Sequence, residues 1–164
     1  MGYKLRSVVR GDPKNRERPG FPRRNEIVPG VSCWLALQAN EVVGFCWGYE
    51  SKPQKLEDKL GVSFLGKLVS FHGDKMKIAY QDELGVVSSC RGQKIAKILF
   101  AQRHEDFLEQ GLQFGIVRTR RAPEPSVTYQ WFTDRLGYEV LAEYPGDDGR
   151  VILGRPLAGL KELL

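Results

Sequence analysis

The stretch Glu83-Leu-Gly-Val-Val-Ser-Ser-Cys-Arg-Gly-Gln-Lys-Ile-Ala-Lys-Ile-Leu-Phe100 carries the residues best suited to chemistry. An alternating apolar segment runs into a short basic turn with one glycine, and the turn opens into an apolar helix. The first amides of a helix have no intrahelical partners, and the helix dipole adds positive potential there. A tight turn ahead of them lets successive N–H groups converge on one anion, commonly a phosphate. Arg91 and Lys94 add formal charge. A dinucleotide fingerprint needs G-x-G-x-x-G and a P-loop needs G-x-x-x-x-G-K-[ST]; neither is present. The bland reading of the same residues is an ordinary strand-to-helix connection. Asp82 and Glu83 stand just before the turn and alternate across the strand, so at most one of them can serve a given face. Cys33, Cys46 and Cys90 lie far apart without a C-x-x-C pair, and His72 and His104 complete the set of soft ligands. That set is too small and wrongly spaced for a zinc site, and no metal is expected. An odd number of cysteines suits reduced thiols.

The elements that must position these residues follow from pattern. Residues 3–9 alternate and suit a first strand, whereas residues 10–30 hold four prolines and three glycines and suit an irregular loop. Strands are expected at Trp34 to Ala39 and Val42 to Tyr49, joined at Asn40-Glu41. On the second of these, Gly44, Cys46 and Gly48 leave one face nearly bare, which marks close approach of a ligand or another backbone. Leu56, Leu60, Phe64 and Leu68 recur every fourth residue and predict a helix over 53–69. A turn at Phe71-His-Gly-Asp precedes a long strand from Met76 to Val87, and a helix follows from about Lys94 to Gln110, stopped by Gly111. A strand over Leu112 to Arg118, a helix over Val127 to Leu136 and a hairpin of Tyr138 to Tyr144 with Arg150 to Leu153 complete the core. Leu157 to Leu164 is a short tail. The order is a mixed α/β sheet with helices on its faces.

The chain's 164 residues allow one domain. No run approaches the roughly 18 apolar residues that span a bilayer, and no secretory segment opens the chain, so a soluble cytoplasmic protein is expected. The net charge of +5 is unevenly placed. Residues 1–30 hold eight basic groups against Asp12, Glu17 and Glu26, and the other 134 residues hold seventeen of each sign. A basic arm of this kind is either solvated or a contact for nucleic acid or an acidic partner. Its two aromatics, Tyr3 and Phe21, give base stacking little to use.

The 83–100 stretch resembles the acetyl-CoA-binding motif of the GNAT superfamily of N-acetyltransferases. That motif runs hydrophobic-x-Val, three polar or aromatic residues, then Arg/Gln-x-x-Gly-x-Gly/Ala; here Leu84-Gly85-Val86 and Arg91-Gly92-Gln93-Lys94-Ile95-Ala96 fill it. Ser126 to Tyr138 is similar to the family's later helix, which begins at an Asn and ends in Leu-Gly-Phe, here Leu136-Gly137-Tyr138. With the order of elements, the resemblance covers residues 33–155. It implies a single GNAT-like domain: residues 1–32 as first strand plus basic loop, 33–155 as core and 156–164 as tail. Its sheet is mostly antiparallel and splayed at the fourth strand, with helices on both faces. Three departures stand out. Lys94 replaces a usual Gly, Thr133 replaces a usual Tyr with Tyr129 one turn earlier, and loop 10–30 replaces two helices that wall the acceptor side. Segment 53–69 is the candidate replacement wall.

The resemblance implies that acetyl-CoA is the co-substrate and an amine the acceptor. The pyrophosphate would lie on Arg91, Gly92, Gln93, Lys94, Ile95 and Ala96, and the pantetheine along Val86 and Val87, with Ser126 and Thr133 contributing from the later helix. Transfer would be direct, with Glu83 as base, the Val86 or Val87 N–H as oxyanion donor and Tyr129 as thiol acid. The bland readings are that Glu83 is solvated and that Tyr129 packs its helix. Two other classes stay open. One is an acyl-CoA sensor of the same fold that transfers nothing. The other, with less support, is a nucleic-acid binder using the arm with Arg118, Arg120 and Arg121. A small amine, a polyamine, an aminoglycoside-like cation and a protein amine all fit as acceptor, and a homodimer is compatible with the reading.

Overall fold

The computed structural model describes residues 3–8, 30–64, 66–68, 76–146 and 149–160. Most of loop 10–30, the Phe71 turn and the end of the 157–164 tail lie outside these residues. The strands are β1 Lys4–Ser7, β2 Val31–Gln38, β3 Glu41–Ser51, β4 Ile78–Val86, β5 Phe114–Arg120, β6 Glu139–Glu143 and β7 Arg150–Pro156. The helices are α1 Pro53–Leu60, α2 Ile95–Glu109 and α3 Val127–Gln130, which continues as a π turn over Trp131–Arg135. The strands form a seven-stranded mixed sheet in the order β1-β2-β3-β4-β5-β7-β6. Among the described residues no helix is long and apolar enough to cross a membrane.

The chain clusters into two compact units. The first joins the described residues up to Tyr49 with Asp82–Gln110, and the second joins Glu50–Gln81 with the described residues from Gly111 onward. In the first unit β1, β2 and β3 run antiparallel, with Leu5 opposite Ala36 and Trp34 opposite Cys46. The β2–β3 hairpin turns at Ala39 and Asn40, both at positive φ (49° and 67°), one residue earlier than the Asn40-Glu41 turn expected from sequence. Two left-handed central residues give the turn whose twist matches the strands. The register then shifts. Leu37 opposes Val42 and Ala36 opposes Gly44, so Val43 is the extra residue of a bulge.

The face of β3 left bare by Gly44 and Cys46 receives helix α2. A Cβ on Gly44 would lie 3.0 Å from Ile95 Cγ2 and 3.1 Å from Leu99 Cδ1. The close approach signalled by the glycines is therefore made by a helix, and the sheet and helix share a core of Ala36, Val43, Cys46, Cys90, Ile95 and Leu99, with Leu84 and Val86 packed against it. Polar side chains also bond across this interface. Asp106 accepts from Ser32 Oγ at 2.7 Å and Trp34 Nε1 at 2.8 Å, and Arg103 Nη1 donates to the main-chain carbonyls of Trp47 (2.9 Å) and Glu83 (3.0 Å).

In the second unit β4 starts in parallel with β5, from Ile78 opposite Phe114 to Tyr80 opposite Ile116, and β7 runs antiparallel to both β5 and β6. The helix expected over 53–69 stops at Leu60, because Gly61 takes φ 67° and its N–H bonds back to Glu57 O. Residues 66–68 are helical again. Leu56, Leu60, Phe64 and Leu68 are nonetheless all buried. The fourfold spacing therefore marked the core stripe correctly and the continuous helix wrongly. Glu57 bridges the break by accepting from Phe64 N–H and Ser63 Oγ. The Leu136-Gly137-Tyr138 ending is a core anchor. Gly137 is left-handed (φ 66°), and Tyr138 is buried against Phe132 with its hydroxyl accepting from Gln81 Nε2.

Candidate active site

In the first unit, the connection from β4 to α2 is built to leave amides open. A 3-10 turn at Ser88–Cys90 spends the Cys90 N–H on Val87 O and the Arg91 N–H on Ser88 O. Gly92 then turns left-handed at φ 78°, and Lys94, the N-cap of α2, does so again at φ 63°. The first helical bond runs from Ile98 N–H to Lys94 O. Among the described residues, no main-chain acceptor claims the amides from Gly92 to Lys97. Helix starts are ordinarily closed by a Ser, Thr, Asp or Asn cap and favoured by acidic residues in the first turn. This one has no side-chain cap and no acid there, and Arg91 and Lys94 are exposed beside it. Its open amides and basic neighbours are an arrangement that suits an anion. The positive φ at Lys94 also explains why a glycine would suit that position.

Val86 and Val87 are not equivalent. The Val87 N–H donates to Val43 O at 2.9 Å, so this amide is committed to β3 at the bulge. Successive amides of a strand point to opposite edges, so the Val86 N–H and C=O face the edge away from β3. The exposed Arg91 side chain reaches Val86 O at 3.4 Å. Leu84 shares that edge by the two-residue period. It was not singled out as a site residue from sequence, where motif spacing alone does not show which edge is already paired.

Asp82 and Glu83 take opposite faces. Leu84 and Val86 pack on the α2 side, so Asp82, half-buried, is on that side by alternation. Glu83 is exposed on the other face, where Trp47 Nε1 donates to its Oε2 at 3.3 Å. Gly85 lies on the same face under the Phe45 ring, which a Cβ would meet at 2.7 Å. Cys90 is buried with Sγ 3.7 Å from Gln38 Oε1. Burial pushes the Cys33 thiol up and the Cys46 thiol up to about 11, so neither is a ready nucleophile.

In the second unit, Ser126 is the N-cap of α3. Its Oγ accepts from Tyr129 N at 3.0 Å and lies 3.0 Å from Thr119 Oγ1. The Thr133 hydroxyl is directed within its own helix, 3.0 Å from Tyr129 O and 2.8 Å from Asp134 Oδ1. Tyr129 is half-buried. A π turn follows it, closed by Leu136 N–H to Trp131 O, and a 3.6-residue period read from sequence cannot register that turn. Of the three arginines considered for nucleic acid, Arg121 pairs with Glu143 at 2.8 Å. Among the described residues no cluster of three or more His, Cys, Asp or Glu side chains is arranged to hold a metal ion.

No protein-family model matches the chain, and no curated protein matches it in sequence. Solved structures do match in fold. A GNAT-family acetyltransferase-like protein from Desulfovibrio desulfuricans superposes with TM-score 0.61 at 14% identity, covering 96% of this chain and 100% of that one. NAA60 of Arabidopsis thaliana, solved with acetyl-CoA, gives TM-score 0.61 at 15% identity over the same shares. A polyamine N-acetyltransferase of Drosophila melanogaster gives 0.56 at 13% identity, covering 76% and 74%. The chain has the fold of the GNAT acetyltransferases.

Proposed function

We propose that the protein is an N-acetyltransferase that moves an acetyl group from acetyl-CoA directly to a primary amine. The observation that carries this reading is the uncapped, basic start of α2, with left-handed residues at Gly92 and Lys94, on a fold shared with proteins solved with CoA or acetyl-CoA. The pyrophosphate lies on the amides from Gly92 to Ala96, with the Arg91 and Lys94 charges beside it. The pantetheine pairs with the strand edge formed by Leu84 and Val86. The Val86 N–H is the donor to the thioester oxygen, because the Val87 N–H is already bonded to Val43.

Glu83 is the base. The amine arrives as an ammonium and loses a proton to Glu83, directly or through water. Its nitrogen forms a bond to the thioester carbon, and the C–S bond breaks. The thiolate leaves with a proton, and the products are the acetamide, CoA thiol and one released proton. Tyr129 is the proposed proton donor to sulfur. Ser126 and Thr133 enter this reading as organisers of Tyr129's helix, since their hydroxyls cap and brace α3.

That commitment of the Thr133 hydroxyl favours a second reading, a sensor that holds acyl-CoA without transferring it. One experiment separates the two. Acetyl-CoA raises the melting temperature under both, with about 2.7 kcal/mol of stabilisation at a hundredfold excess over its dissociation constant, whereas NAD and ATP raise it much less. Release of free thiol that depends on an added amine marks the transferase. No shift with millimolar acetyl-CoA overturns both.

A further inference from the structure

The open face of the first unit's sheet carries more than Glu83. The register places Val31, Cys33 and Leu35 of β2 opposite Tyr49, Trp47 and Phe45 of β3, and the bulge at Val43 turns Val42 to the same side as Phe45. On β4 and just past its end this face holds Glu83, Gly85 and Val87. Val42, Phe45 and Val87 are large apolar side chains that remain exposed, at 50%, 37% and 47%. Trp47 stacks at a tilt on Tyr49, 5.7 Å between centroids, and turns its indole N–H to Glu83. Along β3 and β4, among the described residues, Glu83 is the charged group on this face; Lys4 and Arg6 lie at the far edge on β1.

We infer that the acceptor is a small primary amine with a single positive charge on an apolar, arylalkyl body. This rests on the transferase reading and narrows it. One carboxylate among aromatics matches one ammonium, which gains from Glu83 directly and from the Trp47 ring face. Gly85, between Glu83 and Val87 on this face, lies under the Phe45 ring, so an ammonium held at Glu83 leaves its aminoethyl-linked ring over Phe45, with Val87, about 13 Å along the chain from Glu83, bounding the far end. A polyamine or an aminoglycoside brings two or more further charges to a face on which, along β3 and β4 and among the described residues, Glu83 is the one carboxylate. A peptide brings unpaired N–H and C=O groups against an apolar sheet face whose own backbone groups are engaged in the ladder, and unpaired polar groups are costly there. The face thus selects against three of the four acceptor classes left open by the sequence.

The test uses the full-length protein, acetyl-CoA and four amines: 2-phenylethylamine, spermidine, an aminoglycoside and a tetrapeptide with a free N-terminus. Thiol release gives kcat/KM, and titration calorimetry without acetyl-CoA gives amine binding. The expected result is a kcat/KM for 2-phenylethylamine at least tenfold above each of the others. Phe45→Ser raises the KM for 2-phenylethylamine about tenfold, with little change in kcat or in the KM for acetyl-CoA. If Phe45→Ser does not fold, Val87→Ser tests the same surface. Calorimetric binding of 2-phenylethylamine without any thiol release would uphold the acceptor site and overturn the transferase reading. Equal or better turnover of spermidine, the aminoglycoside or the peptide would overturn the inference and leave the transferase reading intact. Absence of 2-phenylethylamine binding would also overturn it.

Discussion

Replacing Lys94 by glycine should stabilise the protein while weakening its hold on acetyl-CoA. Lys94 sits at φ 63° at the N-cap of α2, where an L side chain costs about 1–2 kcal/mol. Its positive charge at a helix N-terminus costs a further 0.3 to roughly 1 kcal/mol, reduced here by exposure. Glycine removes both terms and returns about 0.4–1 kcal/mol through the greater freedom of the unfolded chain. The balance is a gain of about 1 kcal/mol, or about 2–4 °C in Tm for a chain of this size. Lys94→Ala is the control. It removes the charge but keeps the strained Cβ, so it should recover only the dipole part, and the difference between the two variants isolates the backbone strain. On the ligand side the lost ammonium should weaken acetyl-CoA binding about two- to fivefold, the range for an exposed charge contact. Differential scanning calorimetry and a titration with acetyl-CoA read the two effects. An unchanged or lower Tm for the glycine variant, or tighter acetyl-CoA binding, would refute the argument that this position trades stability for an anion site.

Three further outcomes follow from the same geometry. Arg103→Met removes the buried donor to the Trp47 and Glu83 carbonyls; leaving those two acceptors unpaired should cost about 2–5 kcal/mol in urea denaturation, and a loss below about 1 kcal/mol would show that water takes its place. Glu83→Gln should lower turnover about 10²–10⁴-fold with acetyl-CoA affinity nearly unchanged, and the loss should shrink as pH rises and the amine arrives deprotonated. Asp82→Asn, on the opposite face, should cost much less, and the reverse ranking would contradict Glu83 as base. Cys46, raised to about 11 by burial, holds its proton in the folded state where an unfolded thiol near 9 loses it. Its contribution to stability is therefore complete below pH 9 and is lost from pH 9 to 11, up to about 2 to 3 kcal/mol. Denaturation midpoints should fall across that window, and Cys46→Ala should flatten the fall.

The sequence by itself determined what depends on neighbours along the chain. Alternation found the strands, fourfold spacing found the buried stripe of Leu56, Leu60, Phe64 and Leu68, and the pattern from Leu84 to Ala96 located the uncapped, basic turn into α2. The same alternation put Asp82 and Glu83 on opposite faces. What it left undecided depends on partners distant in sequence. Gly44 signalled a close approach, but only packing revealed helix α2 in that space, because a bare glycine position reads the same for a helix as for a ligand. Val86 and Val87 read alike until the bulge at Val43, 44 residues away from Val87, took one amide and left the other. The start of α2 looked like a glycine-poor version of a phosphate loop. The fold assigned Lys94 a left-handed backbone, because the turn after Gly92 must bring the chain into the helix whatever side chain stands there. The π turn after Tyr129 and the Trp47–Glu83 pair are likewise tertiary. Local periodicity fixes which residues share a face, whereas pairing between distant strands fixes which of their polar groups remain available for chemistry.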